Sequence, residues 1–242
     1  MRLDLPGSGC VAARRGYRLC AAPLSGLSIS WEQGNIMLKL YTAPGTIGLA
    51  CEIALEEAGA PYQVVRLSFA ENAQRQPDYL AINPKSRVPA LVCDHGVITE
   101  TPAILGYVAE TCPQAGLAPL GDAFAMARLL AFNSYLAGWV HPAAAHRVRG
   151  YRWADDPAAI AEMARKSPLI FADAMSLIEA EYLEGPWVMG ERYTVADPYL
   201  YVLSSWLPRD GIDMAGFPKV AAHFARMGER AAVKTVLARV AG

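Results

Sequence analysis

The residues of this chain with the clearest potential to bind a ligand surround the Val88-Pro89 step. Proline cannot donate to a β-sheet and restricts the residue before it, so Pro89 belongs at a turn or at the first position of an edge strand. A trans peptide is the commoner form of X-Pro, but the motifs around Pro89 favour a cis turn. A cis bond would leave the backbone N–H and C=O of Val88 unpaired and facing outward, where an extended peptide could bind as an extra strand.

The elements that must position Val88 form a regular series in the first half of the chain. Helical and strand-like patterns predict the order β-α-β-α-β-β-α, an α/β sandwich whose first two strands are parallel. Thr101 is expected to cap the last of these helices, with Pro102 at its first position. The predicted segments cover residues 38–41, 46–58, 62–67, 79–82, 90–93, 97–99 and 103–110.

After residue 113 the pattern becomes entirely helical. β-rich runs are absent there, so the second half is predicted to be a helical bundle. Thr194 and Asp197 stand at capping-box spacing, and we expect their role to be structural. The predicted helices cover residues 123–139, 143–151, 158–183, 195–206 and 219–240, with a break near Glu229. The expected domains are residues 37–112 and 122–242, joined by a linker at 113–121.

Composition argues against several classes of function. The formal charge of the 242 residues is -1, which gives no sign of a nucleic-acid partner. The five cysteines are odd in number and form no CxxC or Cys/His cluster, which argues against a disulfide framework or a zinc site and for a reducing, cytoplasmic compartment. The sequence has no apolar run of the roughly 18 uncharged residues that a membrane span needs, so no membrane partner is expected.

Residues 1–36 differ in composition from the rest of the chain. They carry four arginines against few acids, and they lack both a sustained period and the apolar centre of an export signal. Arg-rich composition is also typical of transit peptides, but Met37 directly precedes the first predicted strand. We therefore expect translation to begin at Met37, and residues 1–36 to be disordered and dispensable.

In this order, the motifs resemble those of the cytosolic glutathione transferases, and the resemblance covers Met37 to about Val240. The resemblance is based on four features: the predicted element order, the motif Asn-Pro-x-x-x-Val-Pro at residues 83–89, Glu100-Thr101, and the downstream capping box. The chain as a whole most resembles the bacterial beta class. The resemblance implies a thioredoxin-like N-terminal domain, an all-helical C-terminal domain, and glutathione as co-substrate without a metal.

The resemblance also implies how glutathione would bind. Glutathione is a tripeptide with two carboxylates, an ammonium and a thiol. The family pairs the residue before its cis-proline with the cysteinyl backbone, which corresponds to Val88-Pro89 here. Glu100 would meet the γ-glutamyl ammonium, and the Thr101 hydroxyl and the helix N–H groups would meet its carboxylate. Arg87, beside the turn, would also reach the ligand, with Lys85 as the alternative.

Activation of the thiol departs from the family pattern. A free thiol has a pKa near 8.5, so catalysis needs a hydrogen bond or a positive field that favours the thiolate. The family supplies this after the first strand, with Tyr, Ser or Cys and the N-terminus of the next helix. The beta-class cysteine position holds Ile47, whereas Thr46 falls where serine-type classes place their hydroxyl. Thr46 is therefore the predicted catalytic residue, and Tyr41 is either a second donor or a core aromatic.

The second substrate is expected to bind against aromatic side chains of the helical half. The beta-class histidine position holds Ala137, so that histidine is also missing. Aromatic residues at helical spacing are more often core than binding site, and both roles stay open. The candidates are Tyr135, Trp139, His141, Tyr151, Trp153 and, on the helix after the capping box, Trp206.

The predicted function is a cytoplasmic glutathione transferase of detoxification, which joins the glutathione thiolate to small apolar electrophiles. The alternative is a glutathione-binding or interaction module with little turnover, motivated by the missing cysteine and histidine. Glutathione-dependent reductase or peroxidase chemistry would need an exposed cysteine of low pKa at the turn, which Ile47 disfavours. Family members are usually two-fold dimers, so a homodimer is expected.

Overall fold

The structure, a computed structural model, describes residues 37–241. The expectations for residues 1–36 lie outside these described residues. The strands are β1 (Leu38–Thr42), β2 (Tyr62–Arg66), β3 (Ala90–Cys93) and β4 (Gly96–Thr99). The helices are α1 (Gly48–Glu57), α2 (Pro77–Ile82), α3 (Thr101–Thr111), α4 (Ala123–Tyr135), α5 (His141–Arg149), α6 (Pro157–Glu181), α7 (Ala196–Ser204), α8 (Pro218–Glu229) and α9 (Ala231–Ala241).

The four strands form one mixed sheet in the order β2-β1-β3-β4. β1 is parallel to β2, with Leu40 opposite Val64, because α1 carries the chain back to the same end of the sheet. β1 is antiparallel to β3, where Leu40 lies opposite Leu91, and β3 and β4 form the predicted hairpin. The thioredoxin-like N-terminal domain expected from the sequence is confirmed, and so is the helical half that follows it.

The end of β1 brings the chain to a turn that α1 holds in place. Successive side chains of β1 point to opposite faces of the sheet, so Leu40 and Thr42 are buried together while Tyr41 faces the other way. A Cβ atom on Gly48 would lie 2.0 Å from Oγ1 of Thr42, so glycine is required for this close approach. The approach places the N-terminus of α1, with Thr46 before it, at the end of β1.

The helical half matches the predicted segments except where α4 meets α5. The predicted gap between residues 139 and 143 is absent, because α4 continues through a wide π-type turn, Leu136–Val140, directly into α5. Pro142 lacks an N–H and lies in the first turn of α5, where the wider turn accommodates it. The predicted break near Glu229 is confirmed, since α8 ends there and α9 begins at Ala231.

Asp197 organises the start of α7. Its buried carboxylate accepts hydrogen bonds from the backbone N–H of Thr194 at 2.7 Å and of Val188 at 2.8 Å. The ring of His223, on α8, lies 3.0 Å from the same carboxylate. The predicted capping pair therefore fastens a helix start, a loop and a neighbouring helix together, which is a structural role.

None of the helices within residues 37–241 is long and apolar enough to cross a lipid bilayer. In the same part of the chain, no three His, Cys, Asp or Glu side chains come together as potential metal ligands. Cys51 and Cys93 are buried, and Cys112 is partly buried.

Candidate active site

A cleft opens where the turn after β1, the Val88-Pro89 turn and the end of α5 meet. It has two adjoining parts of about 570 and 300 Å³. We call the first the proline pocket; its residues include Pro89, Glu100, Thr101 and Ala137. We call the second the arginine pocket; its residues include Thr46, Phe69, Arg75, Tyr151, Trp206 and Arg209. Both parts share Ile47, Arg87, Val88, His141, Ala145, Arg149 and Arg152.

The Val88-Pro89 peptide bond is cis, as the sequence motif predicted. The turn before it is held by the carbonyl of Arg87, which accepts hydrogen bonds from the Tyr79 hydroxyl at 2.5 Å and from Nδ2 of Asn83 at 2.7 Å. Neither the N–H nor the C=O of Val88 has a hydrogen-bond partner within residues 37–241. Val88 therefore presents an unpaired backbone edge to both parts of the cleft, to which an extended peptide could add.

Glu100 and Thr101 both line the proline pocket, but their roles at the start of α3 differ from the prediction. Glu100, with φ at 74°, is the residue that caps α3, and Thr101 is its first helical residue. Thr101 is wrong as the N-cap because the chain turns one residue earlier, directly after β4, and its side chain is only 5% exposed. Nζ of Lys85 lies 2.5 Å from the exposed Glu100 carboxylate, so this lysine is already paired.

Thr46 lines the arginine pocket just before α1. Its hydroxyl donates to the Ala43 carbonyl at 2.7 Å and lies 3.3 Å from Oγ1 of Thr42. Ile47 follows as the N-cap residue of α1 and lines both parts of the cleft. Its backbone N–H has no hydrogen-bond partner in the part of the chain that the structure describes. A free N–H at a helix N-terminus favours negative charge, so this donor could face a thiolate.

His141 and Trp206 form the aromatic wall of the cleft. Their ring centroids are 5.2 Å apart in an edge-on arrangement, and the Trp206 ring also lies 5.1 Å from the guanidinium carbon of Arg209. Burial, together with the nearby charges of Arg149 and Arg209, lowers the pKa of His141 to about 4. The ring is therefore neutral at pH 7, and it is available as a hydrogen-bond partner rather than as a cation.

Three of the predicted site residues do not reach the cleft. Tyr41 packs against Tyr79, with ring centroids 5.8 Å apart, because strand alternation turns it away from the face of Thr42. Tyr135 stacks on Tyr182 at 6.0 Å, and Trp139 is 55% exposed. None of the three lines the proline pocket or the arginine pocket, so the structure gives no support to a binding role for them in this cleft.

The cleft is strongly cationic, whereas the second substrate was predicted to be a small apolar electrophile. Among the arginines of the cleft, only Arg87 was a predicted site residue, although three arginines between residues 147 and 152, beside aromatic residues, were a usable signal. The spacing of these arginines along the chain would be the same in a cleft as on a solvated surface. The cluster therefore appears only when folding brings distant parts of the chain together. The arginines that line the cleft are Arg75, Arg87, Arg149, Arg152 and Arg209.

A β-α-β-α-β-β-α domain with a cis-proline turn, followed by a helical domain, defines the glutathione transferase class of fold. Residues 37–110 match the family model described as "Glutathione S-transferase, N-terminal domain". The chain is 30% identical over 200 residues to glutathione S-transferase GST-4.5 of Xanthomonas campestris, with coverage of 83% of this chain and 97% of that protein. The chain therefore belongs to the glutathione S-transferase family of enzymes.

Solved structures agree with this assignment. A glutathione transferase homologue from Sulfitobacter, solved with bound glutathione, is 46% identical with a TM-score of 0.81, and the match covers 84% of this chain and 98% of that one. A bacterial beta-class enzyme from Sphingomonas chungbukensis is 32% identical with a TM-score of 0.73, covering 84% and 98%. Relatives at lower identity include proteins named for other activities. Maleylacetoacetate isomerase of Pseudomonas aeruginosa is 28% identical, and the match covers 76% of this chain and 87% of that protein. The disulfide-bond oxidoreductase YfcG of Escherichia coli is 26% identical, and the match covers 83% of this chain and 94% of that protein.

Proposed function

We propose that this protein conjugates glutathione, through its thiolate, to an electrophilic carbon of a small substrate. The observation that carries the proposal is the unpaired backbone of Val88, which lies in the same cleft as the N-terminus of α1. An extended tripeptide paired with Val88 would bring its central cysteine next to the turn that precedes α1. Family membership and the glutathione-bound Sulfitobacter homologue support glutathione as the ligand.

The remaining groups of glutathione have chemically suitable partners in the proline pocket. The Glu100 carboxylate would take the γ-glutamyl ammonium once Lys85 releases it, and the N-terminus of α3 at Thr101 would take the γ-glutamyl carboxylate. The glycyl carboxylate would then extend past Val88 towards Arg87. Pro89 and Ile47 would contact the apolar atoms of the tripeptide.

We propose that the thiolate is stabilised by Thr46 and by the N-terminus of α1 acting together. The Thr46 hydroxyl donates its only proton to the Ala43 carbonyl, so it would have to rotate about χ1 to donate to sulfur. The free N–H of Ile47 needs no such change. Hydrogen-bond donors that already point at the sulfur stabilise the thiolate, because the protein does not have to rearrange when the negative charge forms.

Reductase or peroxidase chemistry has little support in this chain. Such chemistry needs an accessible thiolate, and the cysteines of residues 37–241 do not line either part of the cleft. Burial also raises the pKa of Cys51, on α1, which keeps its thiol protonated. A glutathione-binding module with little turnover is the second candidate, and it is favoured by Ile47 and Ala137 at the beta-class cysteine and histidine positions.

Three further properties are part of the proposal. We place the protein in the cytoplasm because its odd, unclustered cysteines suit a reducing compartment. We divide it at residues 113–121, between α3 and α4, and we expect a homodimer with a role in detoxification.

The test is glutathione binding by calorimetry on the full chain, combined with conjugation of 1-chloro-2,4-dinitrobenzene in the same preparation. In that reaction a C–S bond forms, the C–Cl bond breaks, and chloride leaves with the bonding pair. Binding together with turnover above the uncatalysed rate supports the transferase. Binding without turnover on a panel of electrophiles would favour the module, and no binding would refute both.

A further inference from the structure

The arginine pocket is far more cationic than the chain that forms it. The whole sequence holds 22 Lys and Arg against 23 Asp and Glu. Five arginines nevertheless line this one pocket, and no carboxylate side chain from residues 37–241 lines it with them. They come from the segment before α2, the Val88-Pro89 turn, the end of α5 and the loop after α7, so folding gathers them from four separate places.

Most of these arginines have no carboxylate partner among the residues that the structure describes. Nε of Arg209 lies 3.0 Å from the buried Asp210 carboxylate, which it shares with Arg147 at 2.7 Å, so Arg209 is paired. Arg75, Arg87, Arg149 and Arg152 have no carboxylate within 4 Å in the described range, 37–241. Four unpaired cations converging on one concave surface are an arrangement that a bound anion would stabilise.

The arginines also affect one another electrostatically. Partial burial lowers the pKa of Arg149, and the neighbouring charges of Arg152, Arg87 and Arg209 lower it further. Burial lowers the pKa of Arg87 in the same way, with Arg152 and Arg75 contributing. Burial is the larger cause of both shifts, and the like charges add to it, so an anion placed between these guanidinium groups would relieve their repulsion.

Glutathione alone does not balance this charge. As the thiolate it carries two carboxylates, one sulfur anion and one ammonium, which amounts to two net negative charges. The γ-glutamyl end belongs in the proline pocket, where Glu100 and Lys85 already pair. Two of the four unpaired arginines would therefore still lack a counter-charge. Arg149 and Arg152, at and just beyond the end of α5, line both parts of the cleft together with Val88 and are the best candidates.

The rest of the arginine pocket is suited to a flat apolar group. The side chains of Phe69, Tyr151 and Trp206 line it alongside the arginines. Phe69 and Tyr151 are exposed, so a ligand ring could bury apolar area against them.

We propose that the second substrate is an anionic electrophile: a flat apolar body that carries a carboxylate, held by Arg149 and Arg152 in the arginine pocket. This proposal rests on the glutathione transferase function proposed above and names its substrate class. It replaces the expectation of a purely apolar electrophile. The carboxylate binds away from the reacting carbon, so it determines specificity and leaves the attack by sulfur unchanged.

The experiment compares two substrates that share one reacting carbon. 4-Chloro-3,5-dinitrobenzoate carries the charge, and its methyl ester is neutral; each kcat/KM is divided by the uncatalysed rate constant with glutathione. We expect the normalised ratio of benzoate to ester to be roughly 10 to 100 in the native protein, as a charge-assisted bidentate contact allows. Arg149→Gln and Arg152→Gln should each lower the ratio about tenfold, mainly through KM for the benzoate.

Two further variants separate charge from folding. Arg149→Lys keeps the cation and should retain more of the ratio than Arg149→Gln. Arg165→Gln removes an arginine on α6 that is paired with Glu162 outside the cleft, and it should leave the ratio unchanged. A native ratio near 1, or glutamine variants that slow both substrates equally, would overturn the proposal and assign these arginines to glutathione or its thiolate.

The outcome stays interpretable if the transferase function fails. When neither probe is turned over, calorimetry of benzoate and ester on protein saturated with S-methylglutathione tests the pocket directly. Tighter binding of the benzoate that is lost in Arg149→Gln would keep the anion site, and equal binding would refute it. Calorimetry with glutathione alone reports separately on the proposed function.

Discussion

At the residue scale, the thiol-activating group is the least conventional part of this site. Ile47 stands where a beta-class cysteine would be, and the Thr46 hydroxyl donates to Ala43 within its own turn. The backbone N–H of Ile47 and a hydroxyl that must rotate are therefore the donors nearest the expected sulfur. A hydrogen bond to a charged group contributes roughly 1.5 to 3 kcal/mol, which is enough to distinguish the two by mutation.

Substitution of Thr46 tests this assignment. Thr46→Val keeps the shape of the side chain without its hydroxyl, and we expect kcat/KM for glutathione conjugation to fall roughly tenfold or more. Thr46→Ser keeps the hydroxyl and should stay within about threefold of the native value. The melting temperature of each variant controls for loss of the bond to Ala43. A Thr46→Val protein with native turnover would assign the thiolate to the N–H of Ile47 instead.

His141 should make stability depend on pH in a defined window. Its folded pKa of about 4 lies below the usual value near 6.5, because of burial first and then the charges of Arg149, Arg209 and Arg152, with Glu100 opposing. The unfolded chain therefore binds more protons between those values, and the free energy of unfolding falls as pH falls from about 6.5 towards 4.

The corresponding prediction concerns His141→Gln. Between pH 7 and pH 4.5, the free energy of unfolding of this variant should fall by about 1 to 2 kcal/mol less than that of the native protein. This value is smaller than the full pKa shift would give, because His141 is partly exposed and water screens its charge. Urea unfolding at both pH values measures this. His95→Gln, at the exposed β3–β4 turn, is the matched control. Identical pH dependence in native and His141→Gln proteins would contradict the prediction.

At the element scale, close packing at helix starts decides where the site lies. Gly48 lets α1 approach Thr42 and Pro89, so the turn with Thr46 meets the Val88-Pro89 turn. The start of α7 depends on the buried Asp197 in the same way. Both positions are structural, yet each fixes an element that carries residues of the cleft.

Removal of the Asp197 carboxylate should destabilise the fold strongly. Asp197→Ala leaves the N–H groups of Val188 and Thr194 without an acceptor and separates His223 from its partner. We expect a loss of about 3 to 5 kcal/mol in the free energy of unfolding. Asp156→Ala removes an exposed cap of α6 and should cost only about 1 kcal/mol. Equal losses in denaturant unfolding would refute the special role of Asp197.

At the scale of the whole molecule, exposed apolar side chains fit the proposed homodimer. Phe124, on α4, is 75% exposed, and Val97, on β4, is 43% exposed. They belong to the helical and the sheet half respectively, and we expect the proposed dimer to pack the sheet half of one subunit on the helical half of the other. Apolar side chains left in water in a single chain are often covered by a partner.

The dimer prediction is tested by light scattering. The native mass should be twice the chain mass of 26.1 kDa. Phe124→Glu should shift the protein towards the monomer, because a charge would be buried at the interface. Ser176→Glu introduces the same charge at an exposed polar position of α6 and should leave the mass unchanged. A monomeric native protein would contradict the prediction.

Local signals were enough to predict most of the fold. Helical and strand periods, together with stop signals, gave the element order, and the Asn-Pro-x-x-x-Val-Pro motif gave the cis turn at Pro89. The capping pair at Thr194 and Asp197 was also found, since its chemistry spans only four residues. These features could be predicted because each depends on neighbours along the chain.

The contents of the cleft could not be predicted in this way, because they depend on how distant elements pack. A period assigns Tyr41 or Tyr135 to a face, but it does not say whether that face meets the cleft, and here neither does. Arg75 and Arg149 lie 74 residues apart and share one pocket only after folding. Long side chains from separate elements converge through packing geometry, which short-range spacing does not encode, and that convergence gives the cleft its charge.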